Sequence, residues 1–400
     1  MLTYEQALEQ VLRSANPTEA IRIPIADTLG MVVAIGVGAS TAIPPFTASA
    51  MDGFAARYTD FVSGTPLTIN GMVRAGDMGH KTIVVEGQAC KILTGAQLPP
   101  FVDTVVPIED CTVDGDLVTI TAAVRPNQCV RPAGQDVTQG SMVLNAGQIV
   151  TPAGIAICAA SGVSHIHVHR RPKVSVIATG NELTPPGKFL DVGKIYNSNS
   201  FAIAAQVAEA GGIVDKVLHA VDDPDSILAA FDQCAESDII ISSGGVSVGE
   251  FDYVKDIFEE RGTLGFWKVA IRPGKPLAFG RWENKIFFGL PGNPVSSMVT
   301  FELFARPLLR KMLGDVKPTR PIVDAIVDED LEHGAGRRSF VRGVARREGV
   351  GYGVKQSGGQ DSGMLHAMVA ANCFIIVSED VSVVKTGSVV KAMIIDPGAL

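Results

Sequence analysis

The stretch that decides the fold is Asp238–Asp252, which reads DIIISSGGVSVGEFD. Three consecutive isoleucines predict a short strand buried on both faces, as strands are inside a parallel sheet. A tract of serine and glycine follows, and it is longer than the roughly two to six residues that usually connect a strand to a helix. The tract ends in two acids, Glu250 and Asp252. These features together predict a strand whose carboxyl end opens into a ligand-binding loop.

Strand-like and helix-like segments alternate on both sides of this stretch, over residues 173–313. The strand-like segments are KVSVIATG, IVDKVLHAV, DIIIS and NKIFFGL. The helix-like segments are NSFAIAAQVAEAGG, DPDSILAAFDQCAES, FDYVKDIFEERG and NPVSSMVTFELFARPLLRKMLG. Such alternation predicts an α/β domain with three layers (αβα) and a largely parallel sheet. Ligands of such domains bind outside the carboxyl ends of the strands.

The remaining segments predict further domains. Residues 1–40 begin with an amphipathic helix, in which Thr3 and Gln6 have capping-box spacing, and residues 141–172 are again compatible with helix around TPAGIAICAASG. Residues 41–140 are rich in turns, with the strand-like runs PLTING, KTIVVEG and LVTITAAV, so we expect an inserted β-rich domain. Residues 314–400 follow the linker-like DVKPTRP with the runs IVDAIV, FVRGVA, CFIIV and SVVKAMII, which predict a second small β domain.

Composition narrows the function classes. The 400 residues are 46% hydrophobic and 19% charged, with a net charge of −8, which predicts a globular protein of several domains. The chain lacks the basic footprint of nucleic-acid-binding proteins, a signal-peptide pattern, and any apolar run near the ~20 residues that span a bilayer. Its six cysteines contain no CxxC spacing, which is typical of reduced thiols. We therefore expect a cytoplasmic protein that binds neither nucleic acid nor a membrane.

The Ser-Gly tract has the chemistry of an anion site. Its residues of interest are Ser242, Gly244, Gly245, Ser247 and Gly249. The glycines permit backbone conformations closed to other residues, and free N–H groups beside serine hydroxyls form a cradle of hydrogen-bond donors. A helix that begins near Asp252 would add the positive end of its dipole. The alternative is a mobile loop in which Asp252 only caps the helix. The tract has neither P-loop nor Rossmann spacing, so dinucleotide binding is not indicated.

Acids follow other strands of the predicted sheet. Glu182 follows the first strand in ATGNEL, and Asp222 and Asp223 follow the second in AVDDP, where one of the two can serve as an N-cap. With Asp252, these acids predict a phosphate site with a divalent metal, because Mg²⁺ is held by one or two carboxylates plus phosphate oxygens. Any one of the acids alone would more often be a cap or a solvated side chain.

The motif GLPGNPVSS predicts a second helix start on the same edge of the sheet. It contains Pro291, places Asn293 at the N-cap and places Pro294 at the first helical position. The exposed amides of this helix start would accept an anion.

The stretch WKVAIRPGKPLAFG groups Lys268, Arg272 and Lys275 around a Pro-Gly turn that should expose them. In a chain of negative net charge, this group predicts attraction of phosphates or of a tetrahedral oxyanion. The alternative is a solvated basic edge. In HIHVHRR, His165, His167 and His169 would share one strand face at a spacing of roughly 7 Å. A polar face or a domain junction is favoured there over a metal site.

The motifs SAMDGFA, LTGA, GNEL, SSGGVSVGEFD, WKVAIRPGKPLAFG and GLPGNPVSS together resemble the molybdopterin molybdenumtransferases, the bacterial MoeA family that includes the gephyrin E domain. The resemblance covers essentially the whole chain. It implies an elongated helical N-terminal domain built from residues 1–40 and 141–172, an inserted β domain, a molybdopterin-binding α/β domain and a C-terminal β-barrel. It also implies a homodimer whose cleft lies between the α/β domain of one subunit and the N-terminal region of the other. The implied reaction inserts molybdate into adenylylated molybdopterin with Mg²⁺ and releases AMP.

The resemblance also implies residue roles. Glu182, Asp222 and Asp252 match acids that line the pterin–nucleotide cleft, some of which would hold Mg²⁺. Lys268, Arg272 and Lys275 match a basic strip, although the family often has lysine where this chain has Arg272. Matches in the last domain are Arg342 in SFVRG and Ser362 in GGQDSG, at positions associated with molybdate binding. Matches in the inserted domain are Asp52, Thr94 and Asp136, which chemistry alone does not single out.

Two other functions share parts of this pattern. A related α/β domain occurs in molybdopterin adenylyltransferases, one of which could also be a partner of this protein, but stand-alone enzymes of that type resemble only residues 173–313. A non-catalytic pterin-binding scaffold is the third interpretation.

Overall fold

The computed structural model describes residues 1–62, 65–245, 253–396 and 398, without the side chains of 255, 256, 259 and 260. The predictions for Ser247, Gly249 and Asp252 therefore lie outside the described residues. The helices are α1 (Tyr4–Arg13), α2 (Tyr58–Val62), α3 (Pro152–Ala160), α4 (Asn199–Glu209), α5 (Pro224–Asp232), α6 (Tyr253–Arg261), α7 (Pro294–Thr300), α8 (Arg306–Met312) and α9 (His366–Ala370).

The strands in the first part of the chain are β1 (Ala20–Pro24), β2 (Val37–Gly38), β3 (Ala48–Ser49), β4 (Gly53–Ala56), β5 (Leu67–Val73), β6 (Gln88–Ile92), β7 (Thr104–Pro107), β8 (Cys111–Asp114), β9 (Leu117–Ile120), β10 (Val130–Arg131), β11 (Met142–Leu144) and β12 (His165–His169). The middle part contributes β13 (Lys173–Thr179), β14 (Leu183–Thr184), β15 (Ile195–Tyr196), β16 (Ile213–Ala220), β17 (Ile239–Ser243), β18 (Gly262–Lys268), β19 (Ile271–Arg272), β20 (Pro276–Trp282) and β21 (Lys285–Leu290). The last part contributes β22 (Ile322–Val327), β23 (Leu331–Glu332), β24 (Arg338–Glu348), β25 (Gly351–Gln356), β26 (Cys373–Val377), β27 (Val383–Val384) and β28 (Val389–Ile394).

The N-terminal helix begins with the capping box that its sequence predicts. The Thr3 hydroxyl accepts from the Gln6 amide at 3.3 Å, and the Gln6 side chain accepts from the Thr3 amide at 3.0 Å. On its buried face, Ala7 and Val11 join the apolar core of residues 173–312. The first residues of the chain therefore pack on the α/β sheet.

Residues 20–38 pair with residues 142–169. Strand β1 is antiparallel to β12, and β2 is antiparallel to β11. Val33, Leu144, Cys158 and Val168 belong to one buried apolar cluster, so α3 and the two ladders share a core. The chain leaves this region after β2 and returns to it at β11, and these two strands pair with each other, so residues 39–141 form an insertion.

The inserted region forms a six-stranded sheet in the order β7-β4-β6-β5-β9-β8. The prediction of a strand over KTIVVEG is wrong, because residues 82–87 are in no strand and β6 begins only at Gln88. Ile83 and Val85 are 70% and 53% exposed, and only Val84 of the three reaches the core. The apolar run lacks the alternation that would align it with a neighbouring strand.

The central sheet has the order β16-β13-β17-β21-β20-β18, with the first four strands parallel and the last two antiparallel. The three isoleucines of β17 are fully buried and divide between its faces. Ile239 and Ile241 belong to the cluster that contains residues of α4 and α7, whereas Ile240 belongs to the cluster that contains residues of α5 and α6. The predicted αβα layering is therefore confirmed.

The C-terminal strands close into a barrel. The order is β24-β25-β22-β28-β26, and β26 pairs again with β24. Strand β19 follows β18 in the chain. It pairs in parallel with β24 and so joins the barrel to the α/β domain. In the part of the chain that the structure describes, no helix is both long and apolar enough to cross a membrane.

Candidate functional site

A cavity of about 560 Å³ lies at the carboxyl ends of three neighbouring parallel strands. Thr179 ends β13, Ser243 ends β17, and the residues after β21 close the third side. This is the edge at which parallel sheets bind ligands. The residues that line it include Thr179, Gly180, Glu182, Asn199, Asp222, Ser243, Gly244, Gly245, Pro276, Pro291, Asn293 and Pro294. Of the predicted residues, the cavity thus brings together the described glycines, two acids and the GLPGNP turn.

The turn after β17 can be built only from glycine. Gly244 and Gly245 have φ angles of 94° and 67°, in the left-handed region. A Cβ on Gly244 would lie 2.8 Å from both the carbonyl and the hydroxyl oxygen of Thr179. The Gly244 amide donates to the carbonyl of Leu290 on β21 at 3.2 Å. The turn is therefore pressed against both neighbouring strands at the cavity floor.

Two hydroxyls near this turn lack a partner among the described residues, but only that of Thr179 belongs to a residue that lines the cavity; the predicted Ser242 does not line it. The hydroxyl oxygens of Thr179 and Ser242 are buried and have no hydrogen-bond partner among the described residues. Such buried orphan groups are rare unless a ligand, an ion or water pairs with them. The Ser243 hydroxyl instead accepts from the Asn199 amide at 2.8 Å, and the same Asn199 nitrogen donates to the Gly292 carbonyl at 2.8 Å.

Two acids meet at the rim of the cavity. Asp222 accepts the Asn181 amide at 3.0 Å and donates its own amide to the Asn181 side chain at 3.2 Å, which ties the two strand ends together. Its neighbour Asp223 caps α5 by accepting from Ser226 at 2.9 Å. The Glu182 carboxylate folds over Gly180, where a Cβ would lie 2.4 Å from its oxygen. Asp223 is thus the cap, and Glu182 and Asp222 are the acids that line the cavity.

The carboxylates at this rim could hold Mg²⁺ only if a bound substrate supplied the remaining metal ligands. Glu182 and Asp222 offer carboxylate oxygens, the ligands that Mg²⁺ prefers. No group of three or more His, Cys, Asp or Glu side chains that could hold a metal occurs among the described residues. Oxygens of a bound phosphate would supply the remaining positions.

Asn293 occupies the N-cap position of α7, but its side chain makes no capping hydrogen bond, contrary to the expected geometry. Its amide nitrogen donates instead to the Ser362 hydroxyl at 3.0 Å, and the Val295 amide donates to the Ser362 carbonyl at 3.3 Å. The helix start has a partner in the barrel, which competes with the usual cap. Ser362 therefore lies beside a cavity-lining residue.

Arg342 holds the loop that carries Ser362. Its side chain is fully buried, and its guanidinium donates to the carbonyls of Gly359 at 2.7 Å and Asp361 at 3.1 Å. The Nε and one terminal nitrogen have no partner among the described residues. Burial lowers the pKa of Arg342, and the charge of Asp361 partly opposes this. The sequence-predicted pair Arg342 and Ser362 thus belongs to one loop system at the cavity edge.

The predicted basic strip lies beside the cavity and does not line it. Lys268 and Lys275 are exposed, and Lys268 stands opposite the cavity-lining Pro276 in the β18–β20 ladder. The Arg272 guanidinium lies against Gly334, where a Cβ would be only 2.6 Å from it. The three cations therefore lie in two different surroundings: Lys268 and Lys275 face solvent, whereas Arg272 lies against Gly334.

The predicted residues of the inserted domain stand apart from the cavity of their own chain. Thr94 donates both its amide and its hydroxyl to the same Asp52 oxygen, each at 2.7 Å. These bonds, the hydroxyl first, lower the pKa of Asp52. Asp136 is exposed, and its amide donates to the Ile43 carbonyl. The structure brings Asp52 and Thr94 together but places neither them nor Asp136 among the residues that line the cavity.

The alternating histidines lie on β12, as predicted. The His169 ring donates from Nδ1 to the Thr18 carbonyl at 2.6 Å, and Gly314 packs against the other side of the ring. His169 therefore joins the N-terminal segment to the end of the α/β domain.

Sequence reasoning missed Thr179 and Asn199. Thr179 is an ordinary β-branched residue of a strand, and only its contact with Gly244 distinguishes it. The polar run NSNS before α4 was a usable signal, because it follows a strand and precedes a helix on the ligand-binding edge.

Three family models match in succession along the chain. The MoeA N-terminal region (domain I and II) matches residues 2–162, a probable molybdopterin binding domain matches residues 175–311, and the MoeA C-terminal region (domain IV) matches residues 324–395. The chain belongs to the MoeA family. A molybdopterin molybdenumtransferase of Haemophilus influenzae is 35% identical, with 98% of each chain covered. Molybdopterin molybdenumtransferase 2 of Mycobacterium tuberculosis is 36% identical, with 96% of each covered.

A solved MoeA structure has the same fold. The molybdopterin biosynthesis MoeA protein from Pyrococcus horikoshii superposes with a TM-score of 0.84 at 30% identity, and 99% of each chain is covered. The resemblance drawn from the motifs is confirmed, as is the multidomain α/β fold with its terminal barrel.

Proposed function

We propose that the protein is a molybdopterin molybdenumtransferase, which inserts molybdate into adenylylated molybdopterin and releases AMP. The observation that carries the proposal is the meeting of three parts at one cavity. These are the Gly244–Gly245 turn, the carboxylates of Glu182 and Asp222, and the Ser362 loop that reaches the edge through Asn293. The names of the full-length relatives support the same reaction.

The residues of the cavity suit a phosphoanhydride substrate. The Gly244–Gly245 turn and the orphan hydroxyl of Thr179 would bind phosphate oxygens. Glu182 and Asp222, with Asp252, would hold Mg²⁺, which when bound would neutralise charge on the phosphates. Hydrolysis of the anhydride consumes one water and yields AMP and the pterin phosphate. Positioning and electrostatic stabilisation suffice for this chemistry, so no nucleophilic side chain is required.

The oxyanion would enter from the barrel side of the cavity. Ser362 would donate its hydroxyl to a molybdate oxygen, and Arg342 would fix the loop that carries Ser362. Lys268 and Lys275 would attract the anion from the exposed flank. The two thiol groups of the pterin then replace one oxo ligand of molybdate, which leaves as water with the two thiol protons.

Mutation of the two described acids tests the reaction. Glu182→Gln with Asp222→Asn should lower Mg²⁺-dependent AMP release from adenylylated molybdopterin and molybdate by about 100-fold or more. Asp223→Asn is the matched control, since Asp223 caps α5 and does not line the cavity. Undiminished AMP release by the double variant would refute the proposed roles.

The same assay separates the two competing functions. AMP-containing product made from MgATP and molybdopterin would identify an adenylyltransferase instead. Tight pterin binding without turnover in the presence of molybdate and Mg²⁺ would identify a scaffold. A molybdopterin adenylyltransferase would be the enzyme that supplies the substrate, and we propose that both act in the cytoplasm.

We further propose a homodimer in which Asp52, Thr94 and Asp136 of one subunit complete the cavity of the other. Complementation tests this directly. An Asp52→Ala protein mixed in equal amounts with a Glu182→Gln protein should recover about a quarter of the wild-type sites after subunit exchange. A mixture of Glu182→Gln and Asp222→Asn proteins should recover none. Equal behaviour of the two mixtures would refute the shared site.

A further inference from the structure

A second cluster of cations lies where the α/β domain meets the barrel. Strand β19 pairs with β24 so that Arg272 stands opposite Ser339. The Ser339 hydroxyl is 3.2 Å from Nδ1 of His333. The Arg272 guanidinium covers Gly334, the next residue after His333. Arg337 directly precedes Arg338, which stands opposite Ile271 in the same ladder. We call this group of Arg272, His333 and Arg337 the cationic seam.

The charge of Arg272 disfavours the charged forms of both His333 and Arg337. Burial is the main cause that lowers the pKa of His333, the Gly334 backbone opposes it, and the nearby charge of Arg272 lowers the pKa further. Burial also lowers the pKa of Arg337, and again the charge of Arg272 adds to the effect. The half-buried seam therefore holds like charges in partial isolation from water.

No carboxylate of the described residues lies close enough to pair with these charges. Within residues 1–62, 65–245 and 253–396, neither Arg272 nor Arg337 has an Asp or Glu oxygen within 4.0 Å. The acids that reach this region, Glu5 and Glu379, both pair with the neighbouring Arg338. The Nε2 atom of His333 is buried and has no partner among the described residues. A buried polar atom of this kind is rare unless a ligand, an ion or water pairs with it.

We propose that Arg272, His333 and Arg337 bind a tetrahedral dianionic oxyanion at the cationic seam. Two guanidinium groups and an imidazole N–H present donors to separate oxygens of such an ion. The ion would remove the mutual repulsion and satisfy the buried Nε2. The site is distinct from the Ser362 loop, and the inference requires only anion binding, so it does not depend on the transfer reaction.

The same chemistry has two sources, a free oxyanion such as molybdate or phosphate and the phosphate group of a nucleotide. The test uses the full chain without any pterin and titrates sodium molybdate, inorganic phosphate and AMP in separate arms. The ring nitrogens of the seven histidines are followed by NMR, and His333→Gln assigns the resonance of interest. Because this measurement needs no turnover, it can fail while the transferase assay succeeds, and the reverse.

We expect the His333 resonance to shift saturably and its pKa to rise when the ion binds. Arg337→Gln and Arg272→Gln should each weaken binding about tenfold, since a charge-assisted hydrogen bond is lost. Arg347→Gln, an equal loss of charge at an exposed position of the same strand, is the control. Saturation by molybdate or phosphate alone identifies the free ion, and saturation by AMP alone identifies a nucleotide phosphate.

Three results would overturn the proposal. The His333 resonance of the unmodified protein would not respond to any of the three ligands. Binding would be the same in the Arg337→Gln, Arg272→Gln and Arg347→Gln proteins. Arg342→Met would abolish the response while Arg337→Gln leaves it intact, which would place the ion at the Ser362 loop.

Discussion

The cavity at the sheet edge and the cationic seam are both suited to bind an anion, but they do so with different groups. The cavity offers a glycine turn, uncharged hydroxyls and the two carboxylates of Glu182 and Asp222. The seam offers cations without a carboxylate partner among the described residues. Phosphates that arrive with a divalent metal suit the first set, because the metal supplies the positive charge. A bare oxyanion suits the second. The difference indicates that the two places suit two kinds of anion.

The largest effect should come from the glycine turn, which distinguishes the cavity from the seam most sharply. Gly244→Ala places a methyl group 2.8 Å from the Thr179 oxygens at a positive φ, so the turn must move. We expect AMP release to fall by about 100-fold or more. Gly30→Ala is the control, because Gly30 also has a positive φ but no atom near its Cβ position. Similar AMP release by the two variants would show that the turn does not shape the site.

An intermediate effect should come from the contact that joins the cavity to the barrel. Asn293→Ala and Ser362→Ala each remove one partner of the 3.0 Å hydrogen bond. Each change should raise the KM for molybdate about three- to tenfold, and the double variant should be no worse than the more impaired single variant. Additive effects in this double-mutant cycle would mean that the two residues act separately.

The smallest effect should be the contribution of His333 to the pH dependence of stability between pH 7 and pH 5. The lowered pKa of His333 means that, as pH falls below about 6.5, the unfolded chain takes up the proton more readily than the folded chain. Stability from this residue is thus present above that pH and is lost as pH falls through the folded-state pKa. His333→Gln should reduce the acid-induced fall in Tm by about 1 °C between pH 7 and pH 5 in chloride buffer.

Phosphate buffer should sharpen the same measurement. A bound oxyanion would raise the pKa of His333, so the difference between His333→Gln and the unmodified protein should shrink. His165→Gln, at an exposed strand end, is the control for the loss of a histidine side chain. Equal profiles for all three proteins in chloride would show that His333 does not contribute to the pH dependence of stability.

Local patterns predicted most of the fold. The capping box of α1, the buried isoleucines of β17 and the strands of the barrel follow from periodicity and capping chemistry, which depend on residues close in sequence. KTIVVEG failed because apolar composition does not supply a strand with a neighbour to pair with.

The sequence predicted the candidate residues that follow strands within recognisable motifs. It missed the residues that only tertiary contacts bring together. Glu182, Asp222 and Gly244 follow strands of one sheet, so their meeting could be expected. His333 carried no local signal, because its buried nitrogen and its cationic neighbours come from segments far apart in the chain. The Asn293 side chain departed from its capping role because Ser362 offered a partner that sequence spacing cannot show.

The first residues of the chain have a consequence for biosynthesis. The Leu2 carbonyl accepts from Ala270, the Ala270 carbonyl accepts from Arg338, and Glu5 pairs with the Arg338 side chain. At the roughly 5–20 residues per second of translation, residues 2–5 are made on the order of tens of seconds before these partners leave the ribosome. Throughout that interval the apolar face of α1 lacks its packing surface in the α/β domain and stays accessible to chaperones.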